Sequence, residues 1–558
     1  MTFRMRIAWI GTLALALLVG CGGGADTDSR LVQITLQARY EKRPVTTAGL
    51  GAPAAKPARY AYAQIRNANT DALMADVQLD QNGVGTFQVP QGAHVYAVML
   101  ADVVVPKSGS TFRLHGNVKK GLLQSFASGQ AVEAVPTWYT TSDSWVASNS
   151  ITLTLTSKDS TSESGAFAIA DQMVEFALGM GTLEPNLILP SLHVFWTSGT
   201  KLTSPHALMA QSSGGASLSS CLLNPISGRP MIANEIWYGG PGNGADAYND
   251  SLLMETFAQG LFVDGSYWQV TDPKATSTAL YGALVRRDND EAYVSPWVSS
   301  ESTIAFANGY ATFLGCALRN NPSMYTITAS GTIDTAVAWS LDAHDFNPTE
   351  GGEFYASGIA RSQWGIWKNV LGGSTSGLTT LWQATIPTLT NQLWEYNNAP
   401  LGCYPTYLGG LKRMVGGLTY ATINTELAKE NVGLGTDVTL SLYLDSPALW
   451  NVVAPSPVAI NGTLTTSSNP YYYDRPQAKT YRVYFNDGSH TLTLSTSSPG
   501  LIVELFDGKG FRGAIYATNG TPSSHTFSLT SGHHAVRVRV DPLKTFNGSP
   551  ANYSLTIN

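Results

Sequence analysis

The sequence predicts a multidomain α+β protein in which an N-terminal β-sandwich and a C-terminal β-sandwich flank a central, mainly helical domain. Three observations predict it. Apolar residues alternate with a period of two from Leu31 to about Leu155, recur near 3.6 from Gly165 to about Leu449, and return to short strand-like runs from about Pro455 to Asn558. At 558 residues the chain is too long for one core.

The first thirty residues read as an export signal and a tether. Arg4 and Arg6 precede an apolar run from Ile7 to Val19, which is shorter than the roughly twenty residues a spanning helix needs. The run ends in Leu18-Val19-Gly20-Cys21, which resembles the lipobox of bacterial lipoproteins. That resemblance implies that residues 1–20 are a cleaved signal peptide and that Cys21 carries the lipid anchoring the secreted chain to a membrane. Each buried methylene of such a lipid contributes about 0.8 kcal/mol, and stable anchoring needs more than one acyl chain. Residues 21–30, rich in Gly, Asp and Ser, then form a flexible tether. Gly22 rather than aspartate follows the cysteine, which in a Gram-negative cell envelope implies sorting to the outer membrane.

Composition excludes one class of partner. Charged residues are 13% of the chain and the net charge is -6, with no basic stripe to displace phosphate counterions, so nucleic acid is not expected. Besides Cys21 the cysteines are Cys221, Cys316 and Cys403, an odd, widely spaced set that allows at most one disulfide and leaves its pairing open.

Residues 31–156 carry the first β pattern. Val32 to Leu36 and Ala75 to Leu79 alternate, and Asp80-Gln81-Asn82-Gly83 breaks the pattern before Thr86 to Pro90. Asp80 and Asn82 read as a turn, because the carboxylates and closing Glu of a calcium loop are missing. The arrangement resembles the transthyretin-like or carboxypeptidase-regulatory β-sandwiches of secreted proteins. A Ser/Thr/Asp cluster at 157–165 marks a linker. Beyond it Phe167, Ala170, Val174 and Ala177 share a helical face widened by Ile169, Met173 and Phe176, a strand follows at Leu192 to Trp196, and further helices are expected at 252–262, 302–318, 356–371, 378–396 and 404–415. Strands resume at 480–485, 490–494, 501–506 and 535–540 in the last domain, 455–558. With Ile460 to Leu464, Asn469 to Asp474 and Tyr553 to Ile557, this domain resembles the pre-peptidase C-terminal β-sandwich that accompanies bacterial secreted peptidases.

The central domain, 165–449, resembles bacterial secreted or lipid-anchored zincin metallopeptidases. Two segments carry the resemblance, Tyr248 to Gln259 and Ile304 to Phe313, together with the order of the elements around them and Cys403 to Lys412. In an active zincin, two histidines one helical turn apart bind zinc, the Glu between them polarises a water, and a carboxylate on a second helix completes the ligands. By register the two histidine positions are Glu255 and Gln259, the base position is Thr256, and the third-ligand position is Asn308. All four differ from the family's pattern. Neutral amide oxygens suit calcium better than zinc, and a threonine hydroxyl is too weak a base near neutral pH. Zinc lowers the pKa of water from about 15.7 to about 7, so its loss removes on the order of 12 kcal/mol of activation. No metal, no cofactor and no catalytic residue is therefore expected.

Other catalytic templates fail. Gly214-Gly215-Ala216-Ser217 and Gly372-Gly373-Ser374-Thr375 lack the closing glycine of a nucleophile elbow, Gly239 to Gly244 lacks a phosphate-loop lysine, and Glu350 and Glu353 alone do not define a glycosidase pair. The resemblance implies a cell-envelope lipoprotein, a pseudoenzyme homologous to metallopeptidases, that acts as a surface binding or scaffold protein for a peptide, protein or polysaccharide. Trp237, Tyr238, Tyr267, Trp268 and Trp297 are candidates to line its cleft. Two alternatives stay open: a surface metallopeptidase with a site rebuilt from His193 and His344, and a purely structural or adhesive envelope protein whose two sandwiches do the binding.

Overall fold

The computed structural model describes residues 30–107, 112–120, 136–160, 163–189, 192–198, 235–238, 245–263, 302–325, 327–328, 330–335, 338–343, 356–390, 404–430, 452–453, 458–464, 479–498, 500–507, 510–517, 520–540 and 551–558. The signal, Cys21 and the tether lie outside the described residues, as do Cys221, Cys403, Tyr267, Trp268, Trp297, His344 and the 469–474 segment. N-terminal and C-terminal β-sheet regions flank a central, mainly helical segment. Among the described residues, no helix is long and apolar enough to cross a membrane.

The N-terminal region is built around the strand Leu31–Lys42. Its alternation is followed residue by residue, with Val32, Ile34, Leu36, Ala38 and Tyr40 buried on one face. One edge pairs in parallel with Ile151–Ser157, and the other pairs antiparallel with Val84–Pro90 and then with Ala54–Pro57. The Asp80 turn forms as expected: the Asp80 carboxylate accepts from the backbone N–H of Asn82 and of Val84, each at 2.8 Å.

A second sheet runs in the order Glu235–Tyr238, Leu192–Trp196, Phe112–Lys120, His94–Pro106, Ala61–Asn67, Leu73–Gln78. Its composition was not expected. Leu192–Trp196, assigned by sequence to the central domain, pairs in parallel with Phe112–Lys120, and Glu235–Tyr238 extends the sheet beyond it. The chain composition changes at 157–165, but the apolar core does not break there. One continuous core runs from Val32 to Leu427.

Helix α1, Glu163–Leu183, makes that continuity. Fifteen of its 21 residues are buried, so it is a core element rather than a surface helix with one apolar stripe. It lies so close to the strand Phe112–Lys120 that a Cβ on Gly116 would stand 2.5 Å from Met173 Sδ. Its one buried carboxylate, Asp171, accepts from the Tyr40 hydroxyl and Arg59 Nε, both at 2.7 Å, while Arg59 Nη2 also meets Glu175 at 2.6 Å. Burial, followed by the charge of Asp171, pushes the Tyr40 hydroxyl well above the ordinary tyrosine range.

Among the described residues, six further α-helices follow: α2, Asp250–Val263; α3, Ser302–Arg319; α4, Ala356–Gly365, which runs into a π-helical turn at Ile366–Val370; α5, Thr375–Thr390; α6, Tyr404–Val415; and α7, Gly417–Lys429. The first five of these meet the helical expectations, and α7 is additional. The C-terminal region has its own core, from Ile460 to Ile557, between a five-stranded and a four-stranded sheet. Inside it, Glu504 accepts from Arg537 at 2.7 Å and from Arg539 at 2.8 Å, an ion cluster that a buried carboxylate requires.

On the large sheet, His115 Nε2 lies 2.9 Å from Asp102 Oδ1 across neighbouring strands. The hydrogen bond to Asp102 raises the His115 pKa, against the opposing effects of burial and Lys119. A folded pKa above the unfolded value means that the pair contributes its full stability below about pH 6.5 and loses it as pH rises through the folded pKa. In Asp102→Asn, the His115 titration followed by NMR is expected to move down towards about 6.5, and the stability lost relative to the parent is expected to be larger near pH 5.5 than near pH 8. An unchanged titration would show that Asp102 does not set this pKa.

Candidate functional site

Glu255, Thr256, Gln259 and Asn308, the four positions singled out by the resemblance, fall on α2 and α3, and the geometry there begins with the start of α2. Asn249 caps the helix: its Oδ1 accepts from the Leu252 N–H at 3.2 Å and from the Ser251 hydroxyl at 2.8 Å, while its Nδ2 donates to the Tyr325 carbonyl at 2.9 Å. Asp250, in the first turn, accepts from the Tyr325 hydroxyl and lies 3.5 Å from Arg319 Nη1 of α3. The cap and this ion pair fix the rotation of α2 about its axis. They turn Leu253, Met254, Phe257 and Ala258 inward together with Glu255 and Thr256.

Helix α3 crosses α2 at close range. A Cβ on Gly315 would come within 2.8 Å of the Glu255 backbone nitrogen and 3.1 Å of its Cα, so only glycine permits this spacing. At the crossing, the Thr312 hydroxyl donates to Glu255 Oε1 and is also 2.9 Å from the Asn308 carbonyl oxygen. Thr256 turns its hydroxyl back to the Leu252 carbonyl at 2.7 Å. Glu255 is 3% exposed and Thr256 1%, so neither faces a channel wide enough to admit substrate. One turn beyond Thr312, burial drives the Cys316 thiol up to about 12, which keeps it protonated and unreactive.

Of the four expected positions, Glu255 and Asn308 meet at Thr312, whereas Thr256 follows Glu255 in the chain and bonds its own helix. Gln259 falls on α2, but its side chain lies outside the described residues. His193 is on the large sheet, where its Nδ1 is 2.9 Å from Asn117 Oδ1. Trp237 and Tyr238 belong to the strand beside it, their side chains outside the described residues. Among the described residues, no three His, Cys, Asp or Glu side chains are placed to hold a metal ion. The donors at the α2–α3 crossing do not fit zinc. Among the described residues they include one carboxylate bonded to a threonine, a hydroxyl bonded to its own helix, and a backbone carbonyl, where zinc needs three or four convergent N, S or O ligands at about 2.0–2.3 Å.

Thr312 was not singled out from the sequence, although it lies one turn after Asn308 on the same face. Behind it, α3, α4 and α6 share a buried polar and aromatic cluster. Phe306 stacks on Tyr404, whose hydroxyl is 2.5 Å from Ser362 Oγ and accepts from Gln363 Nε2 at 2.7 Å, while Tyr407 donates to Gln363 Oε1 at 2.7 Å. Arg361 of α4 reaches Glu430, just past α7, at 2.8 Å. Together they make the helices a closed, cross-bonded block.

A second site feature lies in the C-terminal region, where an open concavity of about 750 Å³ forms at the end of the four-stranded sheet. It is lined by Asn461 to Thr463, Ser495 to Ser497, Asn552 to Ser554, Gly520 and Pro522. Sequence reading did not select these residues, though the Ser/Thr alternation in the strands that carry them was visible.

No protein-family model matches the chain, and comparison with curated proteins finds no match. Among solved structures, the chain is similar to the pre-peptidase C-terminal domain of a Bacillus anthracis collagenase, at 14% identity over 20% of this chain and 97% of that one, TM-score 0.16. It is also similar to the Aeromonas hydrophila periplasmic inhibitor of g-type lysozyme, at 15% identity over 20% and 96%, TM-score 0.15. A cycloisomaltooligosaccharide glucanotransferase from Paenibacillus sp. aligns over 93% of this chain and 72% of its own, at 10% identity and TM-score 0.14. Scores this low carry no argument about function.

Two substitutions test the crossing. Thr312→Val keeps the shape and removes the donor to a buried carboxylate, with an expected loss of about 1–3 kcal/mol. Gly315→Ala forces the helices apart, with a similar expected loss of about 1–3 kcal/mol. Urea unfolding of the full chain, followed through the transition that melts the helices, measures both. A midpoint unmoved by Thr312→Val would mean that Glu255 does not depend on α3.

Proposed function

We propose that this chain is a cell-envelope lipoprotein, anchored through Cys21, that acts as a binding or scaffold protein and not as a peptidase. The observation that carries the reading is the state of the α2–α3 crossing, where Glu255 is bonded to Thr312 and Thr256 to Leu252 at the positions where a zincin would hold metal and base. A catalytic carboxylate must be able to reach a water and pass a proton. Here the Glu255 carboxylate instead ties α2 to α3 through Thr312, and the Thr256 hydroxyl is turned back onto its own helix. The ligands proposed are a peptide, a protein or a polysaccharide at the surface, with the membrane reached only through the lipid.

The test uses the full chain extracted in detergent from its host. Elemental analysis is expected to find zinc far below one equivalent, and a mixed peptide library is expected to survive with or without chelator. About one zinc per chain together with chelator-sensitive cleavage would overturn the proposal. In the same preparation, Cys21→Ser is expected to abolish labelling by an alkyne fatty acid and to release the chain from the membrane fraction. Undiminished labelling would refute the anchor.

A further inference from the structure

We propose that the concavity at the end of the four-stranded C-terminal sheet binds a neutral oligosaccharide. This names a ligand class for the binding role proposed above, and it rests on that reading.

The floor comes from the alternation of three neighbouring strands, Val458–Leu464, Ala551–Ile557 and Gly488–Thr496. Ile460, Leu464, Leu492, Leu494, Ala551, Tyr553, Leu555 and Ile557 turn into the core, which leaves Asn461, Thr463, Asn552, Ser554 and Ser495 on the other side. Register sets them in rows: Asn461 and Ser495 both stand opposite Ser554, and Thr463 stands opposite Asn552. The turns at Ser497 and at Gly520 to Pro522 supply the walls.

The chemistry of this lining decides the ligand. Among the described residues, none of the eleven that line the concavity is Asp, Glu, Lys, Arg or His, so they offer no counter-charge to a polyanion or a cationic peptide. Within the floor, strand addition by an extended peptide is open only along the outer edge of Val458–Leu464, beside the concavity and not over it, because Ala551–Ile557 and Gly488–Thr496 are paired on both edges. What the concavity does offer is a dense set of hydroxyl and amide groups, each both donor and acceptor, matching the donor and acceptor array of sugar hydroxyls.

Several of these groups are already oriented. Thr463 donates to Asn552 Oδ1 at 2.6 Å, which engages the oxygen of that amide and leaves its N–H pair for a ligand. Thr496 donates to the Asn552 carbonyl at 2.7 Å and accepts from the Ser498 N–H at 3.0 Å, so the rim is fixed as well. Beneath, the Tyr553 hydroxyl is held by Tyr481 directly against Gly462. A volume of about 750 Å³ falls within the range of roughly 300–1,000 Å³ of small-molecule sites.

The test is native affinity electrophoresis of the full chain in detergent, in gels containing arabinoxylan, glucomannan, a β-1,3-glucan or dextran, with polygalacturonate as the acidic control. At least one neutral polysaccharide is expected to retard the chain, and polygalacturonate is not. Asn552→Ala and the space-filling Ser554→Tyr are each expected to weaken retardation about tenfold or more, whereas Ser554→Thr retains it. An unchanged thermal midpoint separates lost binding from lost folding, and Asn461→Ala, which removes no bond within the sheet, stands in for any variant that fails to fold. Retardation by no neutral polysaccharide, stronger retardation by polygalacturonate, or equal retardation of parent and variants would each overturn the proposal. None of these outcomes bears on zinc content or cleavage, so the site can fail while the non-catalytic reading stands.

Discussion

The packing of one helix between two β-structures is the constraint on which the rest of this chain depends. Helix α1 is apolar nearly all round, and such a helix is stable only where every face is covered. The strand Leu31–Lys42 and the large sheet supply one part of that cover, and α2 supplies another through Phe176 against Phe257. Asp171 sits where these surfaces meet and is stable there because Tyr40 and Arg59 reach it from the β region. The helical segment is therefore no separate body hung on a β-sandwich: its first helix and its first strand complete the core that the earlier strands open.

The same logic of coverage explains the crossing of α2 and α3. Two helices at glycine-mediated spacing leave no room between them for solvent, so any polar side chain caught at the contact must be satisfied by the partner helix. Thr312 does this for Glu255. A catalytic metal centre makes a different demand, a position that stays open to water.

Much of this was legible from residue order, and the parts that were not share a cause. Alternation from Val32 to Leu36 marked the first strand, because burial on one side of a regular element leaves its period in the sequence, and the apolar residues from Phe167 to Ala177 marked α1, although its burial on nearly every face was not read from them. The parallel pairing of Leu192–Trp196 with Phe112–Lys120 left no such mark, since a partner more than seventy residues away is not encoded in local period. Helix α7 escaped for a different reason. Gly416 and Gly417 read as a break, several of its residues are Thr, and among its described apolar side chains Ile423 and Leu427 are buried while Ala421 and Ala428 are exposed. At the α2–α3 crossing the resemblance singled out Glu255, Thr256 and Asn308 by register alone, and a hydroxyl-to-carboxylate bond such as that from Thr312 has no sequence signature.

The position of the first strand has a mechanical consequence. Leu31–Lys42 is an interior strand, bonded along one edge to Ile151–Ser157 and along the other to Val84–Pro90 and Ala54–Pro57. Under the anchoring proposed for Cys21, tension between membrane and ligand enters the protein at the start of this strand and acts along its length. Such a load shears both ladders at once, so the bonds share the force instead of yielding one after another as in an unzipping hairpin.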